Sequence, residues 1–163
     1  MAYELSALAG KHEVAALAAR MVGGQLVALP QGFGLVPITA GIADAAGPSP
    51  EQAFPDAFWE LSASLAAHAR QISRAGAIAY LEADIFGGGG TQAMVLWRAG
   101  RVGLGPERTE FQSGRIGHPA SMQWAFNRAL RELGARRGQA GDEFSALTLD
   151  QHRHTEEWTD RDD

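Results

Sequence analysis

The chain has 163 residues, a net charge of −5 and no cysteine, which excludes a disulfide scaffold, a thiolate nucleophile and any Cys-ligated zinc or iron–sulfur centre. Hydrophobic residues make up 45% and charged residues 20%, an ordinary globular composition with enough apolar side chains for one substantial core. Nineteen acidic side chains against 14 basic ones, of which only Lys11 is not arginine, disfavour counterion-releasing contact with nucleic acid and suit a basic partner.

The opening Met1-Ala2-Tyr3-Glu4-Leu5 lacks the basic and apolar regions of a secretion signal. No apolar run approaches the roughly 18–20 residues of a membrane span. The expectation is a cytoplasmic protein without membrane contact, built as a single domain over 1–163, with a loop at 46–50 and a frayed acidic end from about 159.

Weak alternation over Tyr3 to Leu8 predicts a short strand. Val14, Leu17, Ala18 and Met21 recur at helical spacing and predict a helix over 11–22, ended by Gly23-Gly24. Gln25 to Leu29 reads as a second strand closed by Pro30. The stretch from Gly32 to Ile38 reads either as a strand or as a docked turn.

Gly47-Pro48-Ser49-Pro50 is strong punctuation, with Ser49 placed to cap a helix over 50–74. Its apolar stripe is Phe54, Phe58, Leu61, Leu65 and Ile72, although Pro55 opposes a regular start. His68 falls on that stripe and is expected to be a hydrogen-bonded core histidine.

Residues 77–104 predict a three-stranded antiparallel meander. The first strand places Ala77, Ala79, Leu81, Ala83 and Ile85 on one face and Ile78, Tyr80, Glu82, Asp84 and Phe86 on the other. Gly87 to Gly90 form a hairpin tip rather than a phosphate cradle, since no helix follows them. Ala99-Gly100 is the second connection, Gly105-Pro106 ends the meander, and Glu107 to Gly117 reads as loop. Pro119 opens a helix over 119–133 whose inward residues are Met122, Phe126, Ala129, Leu130 and Leu133. The sum is an α+β fold: an antiparallel or mixed sheet of about five strands with three main helices packed on it.

Three groups of residues carry chemistry. Glu82 and Asp84 lie about 7 Å apart on one strand face, bracketed by Tyr80 and Phe86 in an aromatic surface with an acidic centre. His152, His154 and Glu156 would share a face if their segment were a strand, a metal-compatible spacing without a closed ligand set. Arg128, Arg131, Arg136 and Arg137 form a basic ridge on and after the late helix. Nucleophilic catalysis has no motif: Gly-x-Ser-x-Gly is absent and the serines stand alone.

The run from Ala79 to Ala93, followed by Val95-Leu96-Trp97, resembles a group of small uncharacterised actinobacterial-style proteins. So do Ala129 to Gly134, Asp142-Glu143-Phe144 and His152 to Trp158. Such proteins are similar in size, charge and class to cytoplasmic immunity proteins of bacterial toxin systems. The resemblance implies a protein that binds and neutralises another protein and implies no catalytic residue.

The expected function is therefore protein–protein interaction without a cofactor or metal, as in an immunity protein that neutralises a toxin. Its expected partner surface is Tyr80, Glu82, Asp84, Phe86 and Trp97, facing another protein of basic character. The alternative is a small metal-dependent or small-molecule enzyme using Glu82, Asp84 and the His152/His154 segment. A homodimer burying the same face is the third reading.

Overall fold

A computed structural model describes residues 2–45, 51–87, 89–111 and 124–159. Their order is β1 (Tyr3–Lys11), α1 (His12–Val22), β2 (Val27–Leu29), β3 (Phe33–Pro37), α2 (Ala40–Ala45), α3 (Ala63–Ile72), β4 (Ile78–Phe86), β5 (Gly89–Arg98), β6 (Arg101–Phe111), α4 (Ala125–Glu132) and α5 (Glu143–Ala146). Short 3₁₀ turns occupy Pro30–Gly32 and Thr155–Trp158. The fold is α+β, with one open antiparallel sheet of six strands in the order β2-β3-β1-β4-β5-β6.

Helices cover both faces of that sheet, and this explains the near-continuous burial of its central strands. A strand covered on both sides has no solvent-facing set of alternate residues. On one face Leu5, Ala7, Leu81, Met94 and Leu96 pack beneath α4, Leu147, Leu149 and Trp158. On the other, Leu8, Val36, Tyr80, Val95 and Trp97 pack beneath α1, α3, Phe58 and Leu61. α1 lies close on β3: a Cβ on Gly34 would come within 2.7 Å of the Ala15 Cβ, so only glycine leaves room there.

The meander is present and longer than expected. Gly90, at φ +157°, has no space for a side chain, because a Cβ would collide with the Asp84 carbonyl. Ala99 and Gly100, both at positive φ, make the two-residue connection between Arg98 and Arg101. Their amides donate to the Ser73 carbonyl at 3.0 Å and the Ser73 hydroxyl at 2.9 Å, tying this hairpin to the end of α3. β6 does not stop at Gly105-Pro106 but runs to Phe111, passing irregularities in its register with β5 between Met94 and Trp97. The expected loop over Glu107–Phe111 is thus strand, since a bulged edge strand tolerates the proline.

The expected helix over 50–74 is only half helix. α3 begins at Ala63, where the Ser62 side chain accepts from the Leu65 amide at 3.0 Å. Residues 51–62 fold back on themselves instead, with an antiparallel bridge between Gln52 and Ser62 and the Ala53 amide donating to the Leu61 carbonyl at 2.9 Å. The stripe was still informative, because Phe58, Leu61, Leu65 and Ile72 are all buried. His68 is half-buried on α3 rather than enclosed in the core. The helix expected over 119–133 begins only at Ala125, since Trp124 before it is extended at φ −69° and ψ 152°. The proposed loop at 46–50, Pro119 and Met122, and the tail from Asp160 lie outside the described residues. No helix among the described residues is long and apolar enough to cross a membrane.

Candidate functional site

The face of β4 that carries Tyr80, Glu82 and Asp84 changes character along its length. Register pairs Tyr80 with Leu8, Glu82 with Ser6 and Asp84 with Glu4 on β1. The first pair is core, the second is polar and partly enclosed, and the third is a pair of carboxylates directly opposite each other. The helices of this face cover the sheet only as far as Tyr80, and beyond it the chain relies on residues 51–62.

That cover is held by Glu82. Its Oε2 accepts from the Trp59 amide at 2.8 Å, and its Oε1 accepts from the Glu60 amide and the Tyr80 hydroxyl, both at 2.9 Å. The Ser6 hydroxyl donates to Oε2 of Glu60 at 2.7 Å, adding a second tie from the sheet to the same turn. Burial first, and the neighbouring Glu82 charge second, hold the Tyr80 hydroxyl well above its ordinary pKa, so it is a neutral donor throughout the physiological range.

Two members of the expected partner surface are therefore misplaced. Tyr80 is 0% exposed and Trp97 is 1% exposed. Tyr80 packs edge-on against Phe58, with ring centroids 5.3 Å apart, and both rings belong to the core beneath α3. The sequence pattern assumed one wet face, whereas α1, α3 and Phe58 cover that face. Glu82 is half-buried and structural. Asp84 and Phe86 remain at the surface, and Phe86 is 80% exposed.

The turn that covers Tyr80 brings residues the sequence pattern did not single out. Trp59, 61% exposed, stands with Phe86, Glu4, Glu60 and Asp84 around a cleft of about 350 Å³ at the end of the sheet. Arg108 of β6 approaches the Trp59 ring at 5.9 Å from its centroid, within cation–π range. No sequence periodicity points to Trp59 or Glu60, because their position depends on hydrogen bonds to a residue 22 or 23 positions away.

His154 lines this cleft too and faces Glu4 at 3.9 Å. His152 turns away and packs edge-on against Trp158, with centroids 4.7 Å apart. The segment is not a strand: His152 and His154 precede a 3₁₀ turn over Thr155–Trp158, and the Glu156 Oε1 is taken by the Ala40 amide at 2.9 Å. Among the described residues no three His, Asp or Glu side chains come together as a metal-binding group.

The late basic ridge is divided by acidic partners. Arg128 pairs with Glu107 at 2.7 Å and Arg131 with Glu143 at 2.9 Å. Behind α4 lies a buried polar lattice absent from the sequence reading. Asn127 Nδ2 donates to Asp142 Oδ2 at 3.2 Å and Asn127 Oδ1 accepts from the Phe144 amide at 2.8 Å, while Asp142 Oδ1 caps α5 through the Ser145 amide at 2.8 Å. The one legible signal was Asp142 standing three residues before Ser145 at a helix start.

No family model, curated protein or solved structure matches this chain.

Proposed function

We propose that this protein binds another protein through the acidic cleft at the end of β4, and that it acts as an immunity protein neutralising a toxin of basic surface. The observation that carries this reading is the pairing of exposed aromatic rings with carboxylates. Trp59 and Phe86, the two large aromatic side chains left in solvent among the described residues, line the same cleft as Glu4, Glu60 and Asp84. Exposed rings supply the apolar area on which interfaces concentrate their binding energy, and tryptophan is prominent among such anchors. The carboxylates around them supply charge complementarity for arginine or lysine.

Neutralisation by occlusion needs no bond-making step, only a rigid patch. β4 is hydrogen-bonded on both sides, and Glu82 fixes the backbone that carries Trp59. The patch is thus pre-organised, which lowers the ordering cost of binding.

The test is titration calorimetry against the protein encoded by the adjacent open reading frame. Trp59→Ala and Phe86→Ala should each weaken binding by about tenfold or more while the melting temperature holds. Unchanged affinity in both variants would place the interface elsewhere.

A further inference from the structure

On the opposite face of the sheet, at the same end, lies a second cavity of about 360 Å³ between β1, β4 and the α4–α5 layer. Its volume falls in the range of small-molecule sites. Tyr3, Phe144 and Trp124 contribute aromatic wall, with Tyr3 and Phe144 in edge contact at 5.5 Å. The Tyr3 hydroxyl donates to the Leu149 carbonyl at 3.0 Å.

Three polar groups of this cavity have hydrogen-bonding capacity left over. Gln92 is 4% exposed and its Oε1 accepts from the Phe126 amide at 3.2 Å, which fixes the orientation of its amide. The amide NH₂ of Gln92 then donates to no group among the described residues. At the mouth, the Arg153 guanidinium and the Asp150 carboxylate are exposed, and among the described residues neither forms an ion pair with the other or with a third group. The Gln92 NH₂ is open to the cavity rather than sealed from solvent, so it is an available donor for an acceptor held between the aromatic walls.

We propose that this cavity binds a free aromatic α-amino acid with an oxygen at the far end of its ring, tyrosine being the simplest such molecule. The ring enters between Tyr3, Phe144 and Trp124, and its phenolic oxygen accepts from the Gln92 amide. The α-carboxylate meets Arg153 and the α-ammonium meets Asp150, so opposite charges at the mouth select a zwitterion. The cavity and the cleft on the other face share Ala2, Tyr3 and Ile85 in their walls, while Gln92, Asp150 and Arg153 line the cavity and not that cleft.

Calorimetric titration of the intact protein with L-tyrosine, L-phenylalanine, tyramine and N-acetyl-L-tyrosine tests it. Tyrosine should bind, and each of the other three, lacking one recognised group, should bind about tenfold more weakly. Arg153→Gln should weaken tyrosine about tenfold and leave tyramine unchanged, and Asp150→Asn should weaken tyrosine and leave N-acetyl-tyrosine unchanged. Both substitutions are at exposed positions and retain the fold. Gln92→Met, which removes the amide donor at similar volume and offers no strong acceptor to a phenol, should abolish the preference for tyrosine over phenylalanine. Absence of tyrosine binding to the unaltered protein overturns the proposal, and so does tyrosine binding that neither Arg153→Gln nor Asp150→Asn weakens.

Discussion

The Glu82 carboxylate and the Trp59 backbone amide meet at 2.8 Å, and through this contact a residue of the sheet positions an aromatic ring of the surface. Oε1 of the same carboxylate takes the Glu60 amide and the buried Tyr80 hydroxyl. Glu82→Ala leaves that hydroxyl without its acceptor and releases two backbone amides. The expected cost is about 2–4 kcal/mol, read as a lower urea midpoint. A loss under about 0.5 kcal/mol, the scale of an ordinary surface change, would mean that Glu82 does not hold the turn.

Asp84 lies directly opposite Glu4 across β1 and β4. Like charges in that relationship disfavour the pairing by roughly 0.2–1 kcal/mol. Asp84→Lys should therefore leave the melting curve unchanged or raise it slightly, while weakening association with a basic partner. An unfolded variant would show that Asp84 is needed by the fold, and a folded one with unaltered affinity at low salt would remove Asp84 from the interface.

Asn127, 1% exposed, joins α4 to the start of α5 through Asp142 and the Phe144 amide. Asn127→Ala leaves a buried amide and a carboxylate without that partner, for an expected loss of about 2–3 kcal/mol by chemical denaturation. Asp142→Ala, which removes the α5 cap, should cost about 1–2 kcal/mol. Wild-type stability in both would contradict a structural role for the lattice.

Glu157 closes the 3₁₀ turn near the C-terminus by accepting from the Arg153 amide at 2.9 Å and the His154 amide at 3.3 Å. The Arg153 bond first, opposed next by desolvation, and then the His154 bond and the nearby imidazoles hold its carboxyl below the ordinary glutamate range. A depressed folded-state pKa stabilises above the unfolded value and loses that contribution as pH falls through the folded one. The turn should stay closed at neutral pH and loosen only in acid. The Arg153 amide resonance, followed by NMR, should titrate with a midpoint below that of a free glutamate, and Glu157→Gln should flatten the titration. A midpoint at or above the free value would contradict the assignment.

Most of the sheet was legible because its signals are local. The alternation in β4, the glycines after it and Ala99-Gly100 each report on neighbouring residues, and the meander follows from them. Which face of β4 would be wet was not legible, since that depends on α1, α3 and Phe58 arriving from elsewhere in the chain. Tyr80 and Trp97 were accordingly placed at a surface although the fold encloses them. Phe58 and Leu61 gave helical spacing but sit in a turn, because Glu82 offers the backbone amides of Trp59 and Glu60 an acceptor outside any helix. The same long-range contact hid Trp59, and with it the shape of the cleft. Asp84 and Phe86 were correctly placed at the surface, because β4 ends there and nothing described packs over it.

The central claim is that a protein partner docks on the Trp59–Phe86 cleft, and hydrogen–deuterium exchange on the complex tests it most directly. Binding of a basic partner protein, sought first in the product of the adjacent open reading frame, should slow exchange of the backbone amides at 59–60 and at the adjoining end of β4 around 84–86. The α4 helix and the β6 edge should exchange as they do in the free protein. Protection confined to β6 or α4, with the 59–60 turn unchanged, would contradict the account.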